Sequence, residues 1–152
     1  MRLIRVQQAD FDASAILAEL RTSRTDIGAS VTFIGSVRDL NLDDDVKAMR
    51  LEHYPGMTEK ALEKIVDEAT SRWQLTGTAV IHRVGELQPG DQIVLVAVTS
   101  AHRRDAFAAC EFIMDYLKTR APFWKKELLQ DGSSRWVEAR SSDDDAAERW
   151  KE

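Results

Sequence analysis

The stretch Lys118-Thr119-Arg120-Ala121-Pro122-Phe123-Trp124-Lys125-Lys126-Glu127 carries the most chemistry per residue in this chain. Lys118 and Lys125 straddle a predicted helix end and a proline, so a turn can bring both amines to one pocket. Phe123 and Trp124 supply apolar walls. A lysine set among Arg38, Arg103 and Arg120 has its charged form disfavoured, which lowers its pKa and suits it to act as acid, base or nucleophile near neutral pH. A basic helix terminus complementing the helix dipole explains the same residues, and spacing alone does not choose between the two.

Two other segments offer anion-binding chemistry. His102-Arg103 follows a predicted strand and precedes a helix, a junction where side chains reach clefts and helix N-termini attract anions; a solvated charge pair is the plain alternative. Gly35-Ser36-Val37-Arg38 ends another strand. There the glycine permits close backbone approach and the arginine can grip a phosphate with two hydrogen bonds, although a surface arginine is the default. His53, beside Tyr54 in a strand pattern, reads as structural, and His82-Arg83 is open to either reading. Cys110 falls on the apolar face of a predicted helix and reads as a small buried hydrophobe. No Cys-x-x-Cys or His-x-x-x-His spacing occurs, so no metal site is expected.

Composition narrows the setting for these residues. The chain has 152 residues, 43 % hydrophobic and 31 % charged, which suits one globular domain spanning 1–152. Its formal net charge is -5, with acid in blocks at Asp43–Asp45 and Asp143–Asp145 and base in local knots. That pattern argues for a small anionic ligand and against nucleic acid. The longest apolar runs, such as Ile93 to Val98, are too short to cross a bilayer. The start shows no secretory pattern, and a single cysteine fits a reducing compartment; a cytoplasmic location is expected.

The elements that must position the candidate residues follow from periodicity. Strands are predicted around Leu3–Val6, over Ala29–Val37, Val46–Tyr54, Thr78–Val84 and Gln92–Thr99. A turn at Gln88-Pro89-Gly90-Asp91 separates the last two. Asp12 caps a helix carrying Ile16, Leu17 and Leu20, and Thr58 caps one carrying Leu62, Ile65, Val66, Ala69 and Trp73. A third helix starts near Arg104, buries Phe107, Cys110, Met114 and Leu117, and ends before Pro122. Trp124–Leu129 and Arg135–Ala139 pair across Asp131-Gly132, and the charged tail 141–152 forms a short peripheral helix. Strands adjoin strands as well as helices, so the class is α+β with a mixed or antiparallel sheet.

Six ordered blocks then carry a resemblance: Phe33-Ile34-Gly35-Ser36-Val37-Arg38; Leu51-Glu52-His53-Tyr54-Pro55-Gly56-Met57; Ile81-His82-Arg83-Val84-Gly85-Glu86-Leu87; Ser100-Ala101-His102-Arg103; Asp115-Tyr116-Leu117-Lys118; and Ala121-Pro122-Phe123-Trp124-Lys125-Lys126-Glu127. From about Val31 to Arg140 the chain resembles the large, catalytic subunits of the molybdopterin synthase family. The resemblance implies an α/β hammerhead core with an additional antiparallel β-containing subdomain. It implies a sulfurtransferase that converts cyclic pyranopterin monophosphate to molybdopterin without a cofactor of its own. Two sulfurs come from the thiocarboxylated C-terminal Gly-Gly of a small ubiquitin-like partner, and the large subunit is a homodimer within a heterotetramer.

By the same resemblance, Lys118 and Lys125 are catalytic. The substrate pocket takes Ser36, Val37, Arg38, His102, Arg103, Lys118, Lys125, Lys126 and Glu127, and Arg140 reaches the neighbouring subunit's pocket. The loop Asp39–Asp45 and the segment Leu128–Ser134 receive no role. Two rivals stand beside this reading. A phosphate-ester hydrolase or nuclease would normally need a metal and clustered carboxylates. A non-catalytic scaffold for a ubiquitin-like protein explains a groove but not two lysines beside arginines.

Overall fold

A computed structural model describes residues 1–38, 46–137 and 141–151, with backbone only at 141–142. Its elements are β1 (Arg2–Gln7), α1 (Ala13–Arg21), β2 (Ala29–Ser36), β3 (Val46–His53), α2 (Met57–Arg72), β4 (Gly77–Arg83), β5 (Gly85–Leu87), β6 (Gln92–Ser100), α3 (Arg103–Arg120), β7 (Phe123–Leu129), β8 (Ser134–Val137) and α4 (Ser141–Glu148). The expected α+β class holds, and it resolves into two four-stranded sheets, β1-β4-β6-β2 and β5-β3-β7-β8. In the first, β1 runs parallel to β4 and the other pairs are antiparallel. The second is antiparallel throughout.

The first sheet is covered on both faces, which explains why its central strands β4 and β6 read as nearly continuous apolar runs. One face packs Ala79, Ile81, Leu95 and Ala97 against Phe11, Ile16 and Leu20 from and beside α1. The other packs Val80, Val94, Val96 and Val98 against α2 and α3. The second sheet joins where β2 ends and β6 begins. There Val37 and the half-buried Ile93 pack against Met49 and Leu51 of β3 and Leu87 of β5.

Several local expectations are met. Asp12 caps α1, its carboxylate accepting from the Ala15 N–H at 3.1 Å. In the turn before β6, the Asp91 carboxylate accepts from the Gln88 N–H at 2.8 Å and Gly90 sits at a φ of 92°. β7 and β8 pair across Gly132, at a φ of 90°. The strand expected over Arg135–Ala139 is described as far as Val137, and residues 138–139 lie outside the described ones.

Two expectations are corrected. Thr58 does not cap α2; Gly56 does, and its N–H donates to the Glu59 carboxylate at 2.9 Å. The Thr58 hydroxyl is fully buried instead, accepting from the Tyr54 N–H and donating to the Pro122 carbonyl, each at 2.9 Å. Phe107 is not buried but 61 % exposed. Helix α3 is covered by the sheet on one side and by α2 and α4 on the other, so its buried arc runs through Ala109, Phe112, Ile113 and Tyr116. That arc leaves Arg103, Phe107, Glu111 and Lys118 along one exposed stripe at helical spacing. The strand β5 was not expected; three residues are too few for alternation to register.

Candidate functional site

Lys118 and Lys125 reach their positions from different elements. Lys118 lies exposed in the last turn of α3, and Lys125 is half-buried, the third residue of β7. Between them the chain turns at Ala121-Pro122, with the Phe123 N–H donating to the Ala121 carbonyl at 2.9 Å. Strand register then decides which way β7 faces. Lys125 pairs with Leu51, Glu127 with Met49 and Phe123 with His53. Directly paired residues share a sheet face, so these three project toward the side where Met49 and Leu51 pack on Val37. Arg38 follows Val37 immediately, and Ser36 precedes it. Val37 itself is buried and holds the strand end in place through its N–H to the Asp91 carbonyl at 2.8 Å.

A buried imidazole underlies the turn between the two lysines. The His82 ring is 5 % exposed and stacks on Phe123, with centroids 3.8 Å apart and planes 17° apart. Its pKa is pushed down to about 4, chiefly by burial and further by Lys118, His53 and Lys125 nearby; the hydrogen bond to the Arg83 carbonyl opposes this. The charges of Lys118 and Lys125 both bear on this one ring.

The remaining candidates divide. Lys126 pairs with Arg50 and projects to the opposite sheet face from Lys125; its ammonium rests 4.3 Å from the centre of the Trp136 ring. Glu127 is held by Arg135 at 2.8 Å. His102 and Arg103 begin α3, while Lys118 is near its end. At about 1.5 Å per residue, about 22 Å of helix separates Arg103 from Lys118. The same gap appears along β2, whose Ala29 end faces Ser100 and whose Ser36 end faces Gln92. One chain therefore gathers Ser36, Val37, Arg38, Lys118, Lys125 and Glu127 at one end, and holds His102 and Arg103 at the other. Arg120 is also turned away from Lys118, stacked 3.7 Å over the Tyr116 ring and 3.6 Å from Glu68. Of the three arginines expected around Lys118, Arg103 lies at the far end of α3 and Arg120, at the near end, is engaged elsewhere. Arg140 and the acidic loop 39–45 lie outside the described residues.

Cys110 is 4 % exposed, and its Sγ–H points at the Val96 carbonyl at 3.8 Å. Burial pushes its thiol up to about 12, aided by the nearby Glu111 carboxylate. Among the described residues, no three or more His, Cys, Asp and Glu side chains gather where they could hold a metal ion. No helix among them is long and apolar enough to cross a membrane.

Fold and site together define an α+β protein with a cationic end built from a helix terminus, a strand end and a second sheet. The comparisons place it in a family. The MoaE protein family model matches residues 6–120, and the chain belongs to that family. It is 63 % identical over 150 residues to the molybdopterin synthase catalytic subunit of Ralstonia nicotianae, covering 99 % of this chain and 85 % of that one. Among solved structures, the molybdopterin biosynthesis MoaE protein of Burkholderia ambifaria matches with a TM-score of 0.84 at 60 % identity, covering 99 % and 98 % of the two chains. The molybdopterin synthase of Staphylococcus aureus matches with a TM-score of 0.79 at 34 % identity, covering 88 % and 95 %. The family match begins well before Val31, where the resemblance of individual blocks starts.

Proposed function

We propose that this chain is the catalytic subunit of a molybdopterin synthase, converting cyclic pyranopterin monophosphate to molybdopterin. The two sulfurs come one from each of two small ubiquitin-like carriers bearing a C-terminal thiocarboxylate, and a catalytic subunit by its name implies such a companion. The observation that carries this reading is that Lys118, in the last turn of α3, and Lys125, on the Leu51 face of β7, flank the turn whose Phe123 stacks on the buried His82. The substrate bears a cyclic phosphate and gains negative charge as sulfur adds. Cations fixed where that charge develops lower the barrier, provided they bind the transition state more strongly than the ground state. A carrier sulfur bonded to the pterin side chain is a thioester, and water cleaving it returns the carrier as a carboxylate. The lysine amines supply and remove protons in these steps.

The 22 Å gap gives the second copy a part. In a two-fold dimer with α3 stripes or β2 edges antiparallel, the neighbour's His102 and Arg103 come to the Lys118 end. The exposed Phe33 and Ile34 of edge strand β2 and Phe107 of α3 line that path. The pocket residues drawn from the family resemblance then belong to two chains. Arg140 entering the neighbouring pocket is part of the same reading.

The test is turnover of the pterin precursor with a thiocarboxylated carrier. Molybdopterin should form only with both proteins and the precursor present. Carrier binding without product would favour a scaffold, and phosphate release without sulfur transfer would favour a hydrolase.

A further inference from the structure

A buried histidine near the end of an apolar core strand calls for a reason. β4 places His82 between Val6 of β1 and Val94 of β6, on the face that Val80, Val94 and Val96 present to α2 and α3. A valine or leucine would fill such a position and leave no polar atom to satisfy. His82 instead bonds within its own strand end. Its Nδ1 lies 2.7 Å from the Arg83 carbonyl. A carbonyl only accepts, so Nδ1 carries the proton and Nε2 the lone pair. That bond fixes the ring plane, and the fixed plane meets Phe123 face to face.

Phe123 is the first residue of β7 and the point where the chain re-enters a sheet after α3. Three contacts hold it: the His82 ring, the pairing with His53, and the neighbouring Pro122 carbonyl, which takes the Thr58 hydroxyl hydrogen bond. Lys125 stands two residues further on the same face. We propose that His82 is a positioning residue: pinned to the Arg83 carbonyl and stacked on Phe123, it sets where β7 begins and so holds Lys125 opposite Lys118. The role of the two amines rests on the function proposed above, while the positioning is a geometric claim about this chain.

The alternative is a residue that merely fills core volume. The two differ in what a substitution preserves. His82→Phe keeps the stack on Phe123 and loses the hydrogen bond. His82→Leu fills space with neither. His82→Ala removes both and the volume.

The experiment measures precursor turnover with thiocarboxylated carrier for wild type and the three variants, each checked for native circular dichroism. In parallel, a short amine-to-amine cross-linker joins Lys118 to Lys125, read by peptide mass spectrometry. His82→Ala and His82→Leu should lose kcat on the order of 10- to 100-fold, with KM within about two-fold, as expected when a reacting group is displaced by about an ångström. Their Lys118–Lys125 cross-link should fall in step. His82→Phe should recover most of both. If His82→Ala does not fold, His82→Leu carries the comparison. Wild-type kcat and cross-linking in a folded Leu or Ala variant would overturn the proposal, as would a Phe variant no better than Leu. If the wild-type protein turns nothing over, the functional reading fails, and the cross-link alone still decides whether His82 positions Lys125.

Discussion

At the scale of single residues, the two lysines and His82 respond to different measurements. Lys118→Ala and Lys125→Ala should each abolish precursor turnover while leaving the native circular dichroism unchanged, because Lys118 is exposed and Lys125 only half-buried. Near wild-type turnover by either variant would remove that lysine from the mechanism. His82 also acts on stability. Its folded pKa is about 4, below the ordinary 6.5, so below about pH 6.5 the unfolded chain binds a proton that the folded chain refuses. Stability therefore falls as pH drops from 6.5 toward 4, by about 1.4 kcal/mol per unit at most and roughly 3 kcal/mol in all. Urea-unfolding free energies of His82→Phe should lose about 1.5 kcal/mol less than wild type between pH 6.5 and pH 5; parallel pH slopes would refute this. Cys110 should resist thiol reagents at pH 8 until the chain is unfolded, since burial disfavours its thiolate. Cys110→Ala should keep synthase activity at a cost of about 1 kcal/mol from the small cavity. Loss of product by a folded Cys110→Ala that binds the carrier would make the cysteine a sulfur relay. Periodicity made the burial of Cys110 legible in the sequence. It could not do so for His82, because a lone histidine in an apolar strand looks the same whether it packs or titrates.

At the scale of elements, local chemistry told most in advance. Alternation marked the long strands, Asp12 marked a helix start, and Pro122 marked the end of α3. What escaped depended on tertiary partners. Thr58 looks like a cap from its neighbours alone, but its hydroxyl was claimed by the Pro122 carbonyl from 64 residues away. Phe107 fits an apolar repeat, yet α2 and α4 rotate the buried arc of α3 away from it. The approach of two backbones is equally invisible. Gly28 donates its N–H to the Ser100 carbonyl at 2.9 Å, and a Cβ there would lie 2.1 Å from the Ala101 carbonyl oxygen. Because that obstacle is main chain, Gly28→Ala must push the β6–α3 junction outward, where His102 and Arg103 stand. It should cost about 1–3 kcal/mol, read as a fall in Tm, and should weaken precursor binding more than Lys118→Ala does. An unchanged Tm would show that the junction yields freely.

At the scale of the whole molecule, the distribution of cations makes its own demand. The resemblance collected Lys118, Lys125, Arg38, His102 and Arg103 into one pocket, and it did so without knowing that α3 would set Arg103 and Lys118 about 22 Å apart. No periodicity in one chain reports which copy supplies a side chain. The two-copy reading has a direct test in mixed dimers. Lys118→Ala and Arg103→Ala, purified separately, should each be nearly inactive. Co-expressed with different tags, half the dimers are mixed. In a mixed dimer one site lacks both residues, while the other takes its lysine from the Arg103→Ala chain and its arginine from the Lys118→Ala chain. About a quarter of wild-type turnover should then return. Mixing Lys118→Ala with Lys125→Ala is the control: both lysines come from the same chain, so every site lacks one and nothing should return. Phe107→Asp, which charges the exposed stripe of α3, should shift the protein toward monomer by sedimentation and lower turnover with it. No recovery in the lysine–arginine mixture despite proven mixed dimers would overturn the two-copy site, and recovery in the lysine–lysine mixture would put Lys118 and Lys125 of one chain into different sites.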